Sequence, residues 1–137
     1  MRRYIPYARQ DIRPEDIEEV VKVLKSDFIT QGPKIGEFEA AVAARAGAKH
    51  AVAVATGTAA LHAACFAAGV GPNDEIVTVP ITFVASANCA RHLGADVRFA
   101  DIRPDTYCMD PAALERSMSP KTKVVVPVDF AGQPCDM

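Results

Sequence analysis

The tripeptide Thr56-Gly57-Thr58 stands between a short valine-rich run, Ala51 to Ala55, and the alanine-rich segment Ala59 to Ala68. A strand ending there and a helix beginning there would leave the first backbone N–H groups at the positive end of the helix dipole. Such a turn can receive a phosphate, with the Thr58 hydroxyl as an extra donor. Gly57 would let the anion approach the backbone. Ordinary capping by threonine accounts for the same residues. The turn spells neither Gly-x-Gly-x-x-Gly nor a Walker loop, which argues against dinucleotides and nucleoside triphosphates.

Two further residues stand where chemistry is expected. Phe83, in Val79-Pro80-Ile81-Thr82-Phe83-Val84, follows a second valine-rich run, where a flat cofactor could stack on its ring; the alternative is a core aromatic at a helix start. Asp129 follows a fourth apolar run, with Phe130, Gly132 and Gln133 making a turn beyond it, and it can serve as a site carboxylate or as a turn cap. His50, His62 and His92 match no zinc spacing, so no metal site is expected. His92 suits the negative end of a helix, and His62 reads as a packing residue. Cys65, Cys89, Cys108 and Cys135 contain no Cys-x-x-Cys pair and read as free thiols. Tyr4 and Tyr7 flank Ile5 and Pro6 in an extended N-terminal arm.

The elements that must position these residues can be read from periodicity. In Arg13 to Ser26, Pro14 suits a first helical turn, Glu15 and Asp16 suit its positive end, and Ile17, Val20, Val21 and Leu24 form one apolar stripe. This predicts a surface helix with one buried face. A loop with Gly32, Pro33 and Gly36 follows, then a second helical stripe of Ile35, Phe38, Val42 and Ala46, closed by Gly47. From there the chain alternates. Strands are predicted at Ala51 to Ala55, Glu75 to Val79, Asp96 to Asp101 and Lys123 to Val128; helices are predicted after Thr56, after Pro80 and after Asp110, whose neighbour Pro111 takes the first turn. Strands alternating with helices, with no two-residue hairpin between them, describe a mainly parallel sheet covered on both faces, an α/β three-layer αβα architecture. Ligands of such sheets bind outside the carboxyl ends of the strands.

Composition narrows the classes. The 137 residues carry 15 Lys and Arg against 17 Asp and Glu, a net charge of -2, which gives no reason to expect nucleic acid or an anionic membrane as partner. The longest apolar stretch is broken by Thr56, Gly57, Thr58 and His62, far short of the ~20 residues a membrane span needs. The N-terminus has two arginines but lacks the apolar region of a signal peptide, and free thiols point to the cytoplasm.

In order along the chain, Ile5-Pro6-Tyr7, Phe28-Ile29-Thr30-Gln31-Gly32-Pro33, Phe38-Glu39, Ala55-Thr56-Gly57-Thr58-Ala59-Ala60-Leu61-His62, Pro80-Ile81-Thr82-Phe83-Val84-Ala85 and Asp129-Phe130-Ala131-Gly132 resemble the N-terminal part of DegT-type sugar-nucleotide aminotransferases. The resemblance implies a pyridoxal 5'-phosphate enzyme of the aspartate-aminotransferase-like fold (fold type I), with residues 1–137 forming the N-terminal part of its large domain: an arm and helices over 1–48, βα units over 49–137. It implies that Gly57, Thr58 and Ala59 hold the cofactor phosphate, that Phe83 stacks on the pyridine ring, and that Tyr7, Thr30, Gln31 and Asp129 surround the substrate. The wording is closest to members that aminate a UDP-linked 4-keto-6-deoxy sugar at C-4, on the route to pseudaminic acid, with an amino acid such as glutamate as donor. A homodimer is implied. By the same resemblance, the Schiff-base lysine and the acidic partner of the pyridine nitrogen lie beyond residue 137, so no catalytic residue is expected in this chain and the segment alone is expected to be inactive and to associate or aggregate. The alternatives are a dehydratase of the same family, with histidine at the lysine position, and a non-catalytic ligand-binding or sensor fragment.

Overall fold

A computed structural model describes Pro6 and residues 9–137. The chain divides into two compact units, the first ending at Ala53 and the second spanning Val54–Met137.

The first unit is built on two helices, α1 (Pro14–Leu24) and α2 (Pro33–Ala46). Both begin with proline in the first turn, where its missing N–H costs nothing. Asp16 reaches back to accept the Arg13 backbone N–H at 2.9 Å. Gly47 ends α2 in the left-handed region, φ 64°, and the Ala48 N–H closes on Ala43 O at 2.9 Å. Between the helices the chain turns through Gln31, φ 50°, into Gly32, where a Cβ would lie 2.9 Å from that of Phe28. Only glycine fits there. The predicted buried face of α1 is not buried in this chain: Ile17, Val20, Val21 and Leu24 are 40–66% exposed, and Ala43 is the one buried residue of the two helices. The amphipathic spacing marks which side is apolar, but burial needs a cover from outside the helix, and among the described residues these side chains stay exposed.

The run Ala51 to Ala55 also departs from expectation. It joins no strand ladder, and Val52 is 80% exposed. Valine alternation favours extended backbone, but a strand exists only with a neighbour to bond. One of its donors, the Ala53 N–H, is satisfied instead by the Glu39 carboxylate at 2.8 Å.

The second unit holds the sheet. Its elements are α3 (Gly57–Ala67), β1 (Glu75–Thr78), α4 (Ala85–Arg91), β2 (Asp96–Phe99), α5 (Pro111–Ser117) and β3 (Thr122–Val125). The strands pair in parallel in the order β2-β1-β3. Glu75 to Thr78 align one-to-one with Asp96 to Phe99, whereas the register to β3 slips by one residue between Glu75 and Ile76. Alternation along the strands sends side chains to two cores. Ile76, Val97 and Val124 pack with Cys65, Val70, Cys89 and Ala90 on one face; Val77, Val125 and Ala100 pack with Met109, Ala113 and Leu114 on the other. Helices α3 and α4 therefore cover one face and α5 the other, as the alternating pattern requires. Thr78 is fully buried, and its hydroxyl donates to Val126 O at 2.9 Å, so the central strand carries no orphaned polar group.

Candidate functional site

Because the strands are parallel, the loops after β1, β2 and β3 leave the sheet at one edge. The first carries Phe83 and the third carries Asp129. Phe83 is 73% exposed, so no core packing among the described residues holds its ring. Its loop is fixed from behind: the Thr82 and Ser86 hydroxyls bond at 2.9 Å, and Phe83 O accepts the Ser86 N–H at 3.0 Å. Sequence gave no sign of this hydroxyl pair beyond its four-residue spacing.

Asp129 is exposed, and its Oδ1 accepts the Cys135 N–H at 2.9 Å. Beyond it, Phe130 and Gln133 face each other across a tight turn in which Ala131 and Gly132 have φ of 51° and 86°. Two successive left-handed residues define a type I′ turn. The turn leaves one carboxylate oxygen of Asp129 as the capping group while the side chain remains at the surface.

Helix α3 opens on Thr56, whose Oγ1 accepts the Ala59 N–H at 3.1 Å while its carbonyl accepts the Ala60 N–H at 3.0 Å. The capping alternative is thus realised in Thr56. Capping engages Ala59 and leaves the two donors before it: among the described residues, neither the Gly57 nor the Thr58 N–H has a partner. Gly57 and Thr58 are both exposed, and a Cβ built at Gly57 would meet nothing within 4 Å. Free donors at a helix start beside open space fit a phosphate.

In the first unit, Thr30 and Gln31 line a cavity of about 440 Å³ together with Val23, Phe28, Ile29 and Ile35. Lys22 and Lys34 stand at its wall. Glu19 bridges them at 2.6 and 2.7 Å, and Lys34 also reaches Glu37 at 2.7 Å. The bond from Lys22, then that from Lys34, lowers the Glu19 carboxyl to a pKa of about 2, and Glu19 with Glu37 raises that of Lys34. Tyr7 lies outside the described residues. No group of three metal-ligating side chains occurs among the described residues.

Residues 10–137 match the model of the DegT/DnrJ/EryC1/StrS aminotransferase family, and the chain belongs to that family. It is 49% identical over 134 residues to the spore coat polysaccharide biosynthesis protein SpsC of Bacillus subtilis (strain 168), covering 98% of this chain and 34% of SpsC. Spr1654 of Streptococcus pneumoniae, assigned as a sugar aminotransferase and solved in apo, PLP and PMP forms, superposes with a TM-score of 0.90 at 39% identity, over 96% of this chain and 33–34% of that one. The aminotransferase of Psychrobacter cryohalolentis gives 0.86 at 32% identity, over 95% and 34%. The chain thus spans about a third of the length of these relatives, and its parallel sheet with flanking helices is the N-terminal part of the large domain of the fold type I architecture. The cofactor implied by the resemblance, pyridoxal phosphate, is the one Spr1654 is solved with, in PLP and PMP forms.

Proposed function

We propose that the intact protein is a pyridoxal-phosphate-dependent aminotransferase that moves an amino group from an amino acid, glutamate, to a UDP-linked 4-keto-6-deoxy sugar in the synthesis of surface polysaccharide, on a route of the pseudaminic acid type. The observation that carries the reading is the open start of α3, with the Gly57 and Thr58 N–H groups unbonded beside free space. When bound, the cofactor supplies an electron sink and a carrier for the amino group.

The residues of this chain bind and orient. Gly57 and Thr58, with Ala59 completing the turn, hold the phosphate through backbone donors and the helix dipole. Thr56 keeps those donors in place by capping Ala59. The exposed ring of Phe83, held by the Thr82 and Ser86 hydroxyls, offers a flat face for the pyridine. Asp129, Tyr7, Thr30 and Gln31 contact the substrate. The Schiff-base lysine is supplied by the remainder of the protein, a cytoplasmic homodimer. Among the described residues no helix is long and apolar enough to cross a membrane.

The test is full-length protein incubated with pyridoxal phosphate, glutamate and a UDP-4-keto-6-deoxy sugar, followed by absorbance and by mass spectrometry of the sugar product. A cofactor spectrum and an aminated sugar support the proposal. A cofactor spectrum with loss of water from the sugar in place of amination would move the protein to the dehydratases. No cofactor spectrum and no product would leave it a ligand-binding protein.

A further inference from the structure

The sequence holds three histidines, and the fold brings two of them together. His62 lies on α3 and His92 is the C-cap of α4, so no spacing along one element announces the pair. Their ring centres are 5.6 Å apart, with the planes tilted by 41°. The helices beneath them are held by packing: Cys65 of α3 and Cys89 and Ala90 of α4 share one buried cluster, and Leu61 and Leu93, the chain neighbours of the two histidines, pack against it. His62 is half-buried and borders an open cavity of about 460 Å³ that Ala59, Ala63 and Phe66 also line, while His92 is exposed. No carboxylate forms an ion pair with either ring among the described residues. Arg91, the cation next to His92, is engaged by Asp96 at 3.1 Å.

An imidazole nitrogen binds zinc at about 2.0–2.1 Å, which puts each ring centre about 3.2 Å from the metal and two rings on one tetrahedral ion about 5 Å apart. The 5.6 Å seen here meets that requirement at a slightly wider angle, without movement of either helix. The χ2 torsion of histidine is soft, so each ring can aim a nitrogen at a shared ion within its rotamer well. We propose that His62 and His92 together bind one divalent transition-metal ion, of the zinc, nickel or copper class that neutral imidazole suits, with water completing the coordination. Two protein ligands, in place of the larger set that a structural zinc site uses, make the binding weak and reversible. The ion then acts as a clamp between helices that already pack. It ties α3, which opens at Gly57 and Thr58, to α4, which follows Phe83. Because only the folded chain holds the two rings together, the ion stabilises the fold by mass action.

The experiment titrates untagged full-length protein with zinc chloride and, separately, nickel chloride by calorimetry, and follows thermal unfolding with and without each ion. The expected result is one ion per chain at this site and a raised midpoint of unfolding. His62→Gln and His92→Gln each weaken the binding by about tenfold or more and abolish the rise. His50→Gln, outside the pair, changes neither. His92 is exposed at a helix end, so its substitution keeps the fold and carries the test even where His62→Gln does not; circular dichroism without metal distinguishes the two cases. No binding at millimolar ion, binding that survives His92→Gln, equal loss with His50→Gln, or a thiolate charge-transfer band in the nickel spectrum, which would place the ion on cysteine, would each overturn the proposal. None of these readouts depends on cofactor or amino transfer.

Discussion

The two units make opposite use of one kind of sequence. In the second, apolar residues at strand and helix periods meet across a parallel sheet, and Ile76, Val77 and Val79 are fully buried. In the first, helix α1 has an equally regular apolar stripe and buries none of its residues. Amphipathic spacing is thus a statement about direction, and burial depends on whether a second layer is present to receive it.

The sharpest way to break this comparison is to shorten one side chain in each unit. Ile76→Ala should cost about 2–5 kcal/mol in urea unfolding, through lost transfer energy and the cavity left behind. Ile17→Ala, at a position 56% exposed, should fall within about 0.5 kcal/mol. Equal losses would mean that α1 is covered as fully as the sheet. Next in size is Thr78→Val, which keeps shape but removes the bond to Val126 O; a cost of about 1–3 kcal/mol is expected, because the buried carbonyl loses its side-chain donor. Thr56→Ala should follow at about 1 kcal/mol, the worth of an N-cap, visible as a lowered midpoint of thermal unfolding.

The smallest effect belongs to the first unit. Glu19→Gln removes both lysine bridges, yet its partners are solvated, so any loss of stability should vanish in high salt. The folded Glu19 carboxyl titrates at about 2, below its ordinary 4.5, so its contribution is present above that ordinary value and is lost as pH falls through about 2. Side-chain carboxyl shifts followed by NMR against pH check this: a midpoint near 4.5 would show that the bridge does not form.

Local signals in the sequence translated directly into structure. Pro14 and Pro111 start helices, Gly47 ends one, and Thr56 and Asp110 accept N–H bonds from the first turns they were expected to cap, whereas Pro33 and Gly36, read as loop, lie in α2, whose first turn tolerates the proline. These residues act on neighbours a few positions away, so their effect is written where they stand. The parallel sheet and its two covered faces were also legible, since alternating strands and helices admit few topologies. What the sequence could not supply was non-local. Ala51 to Ala55 has the composition of a strand, but pairing needs a partner that no local pattern specifies. The exposure of Ile17, Val20 and Leu24 has the same origin. For the site, the helix start at Thr56-Gly57-Thr58 and the placement of Phe83 after β1 were legible, although the strand expected before Thr56 does not form. The Thr82–Ser86 support and the Gln31 turn required coordinates, because each depends on backbone angles that several sequences can adopt.

The strand order β2-β1-β3 sets the tempo of the molecule as well as its shape. β1 is bonded on both sides, while β2 and β3 each have one neighbour among the described residues. To free an amide of Ile76 or Val77, both flanking ladders and two packed helix layers must part together, whereas an outer strand can peel from one side. Amide protons along β1 should therefore be the last to trade for deuterium, and those of α1, none of whose residues is buried, among the first.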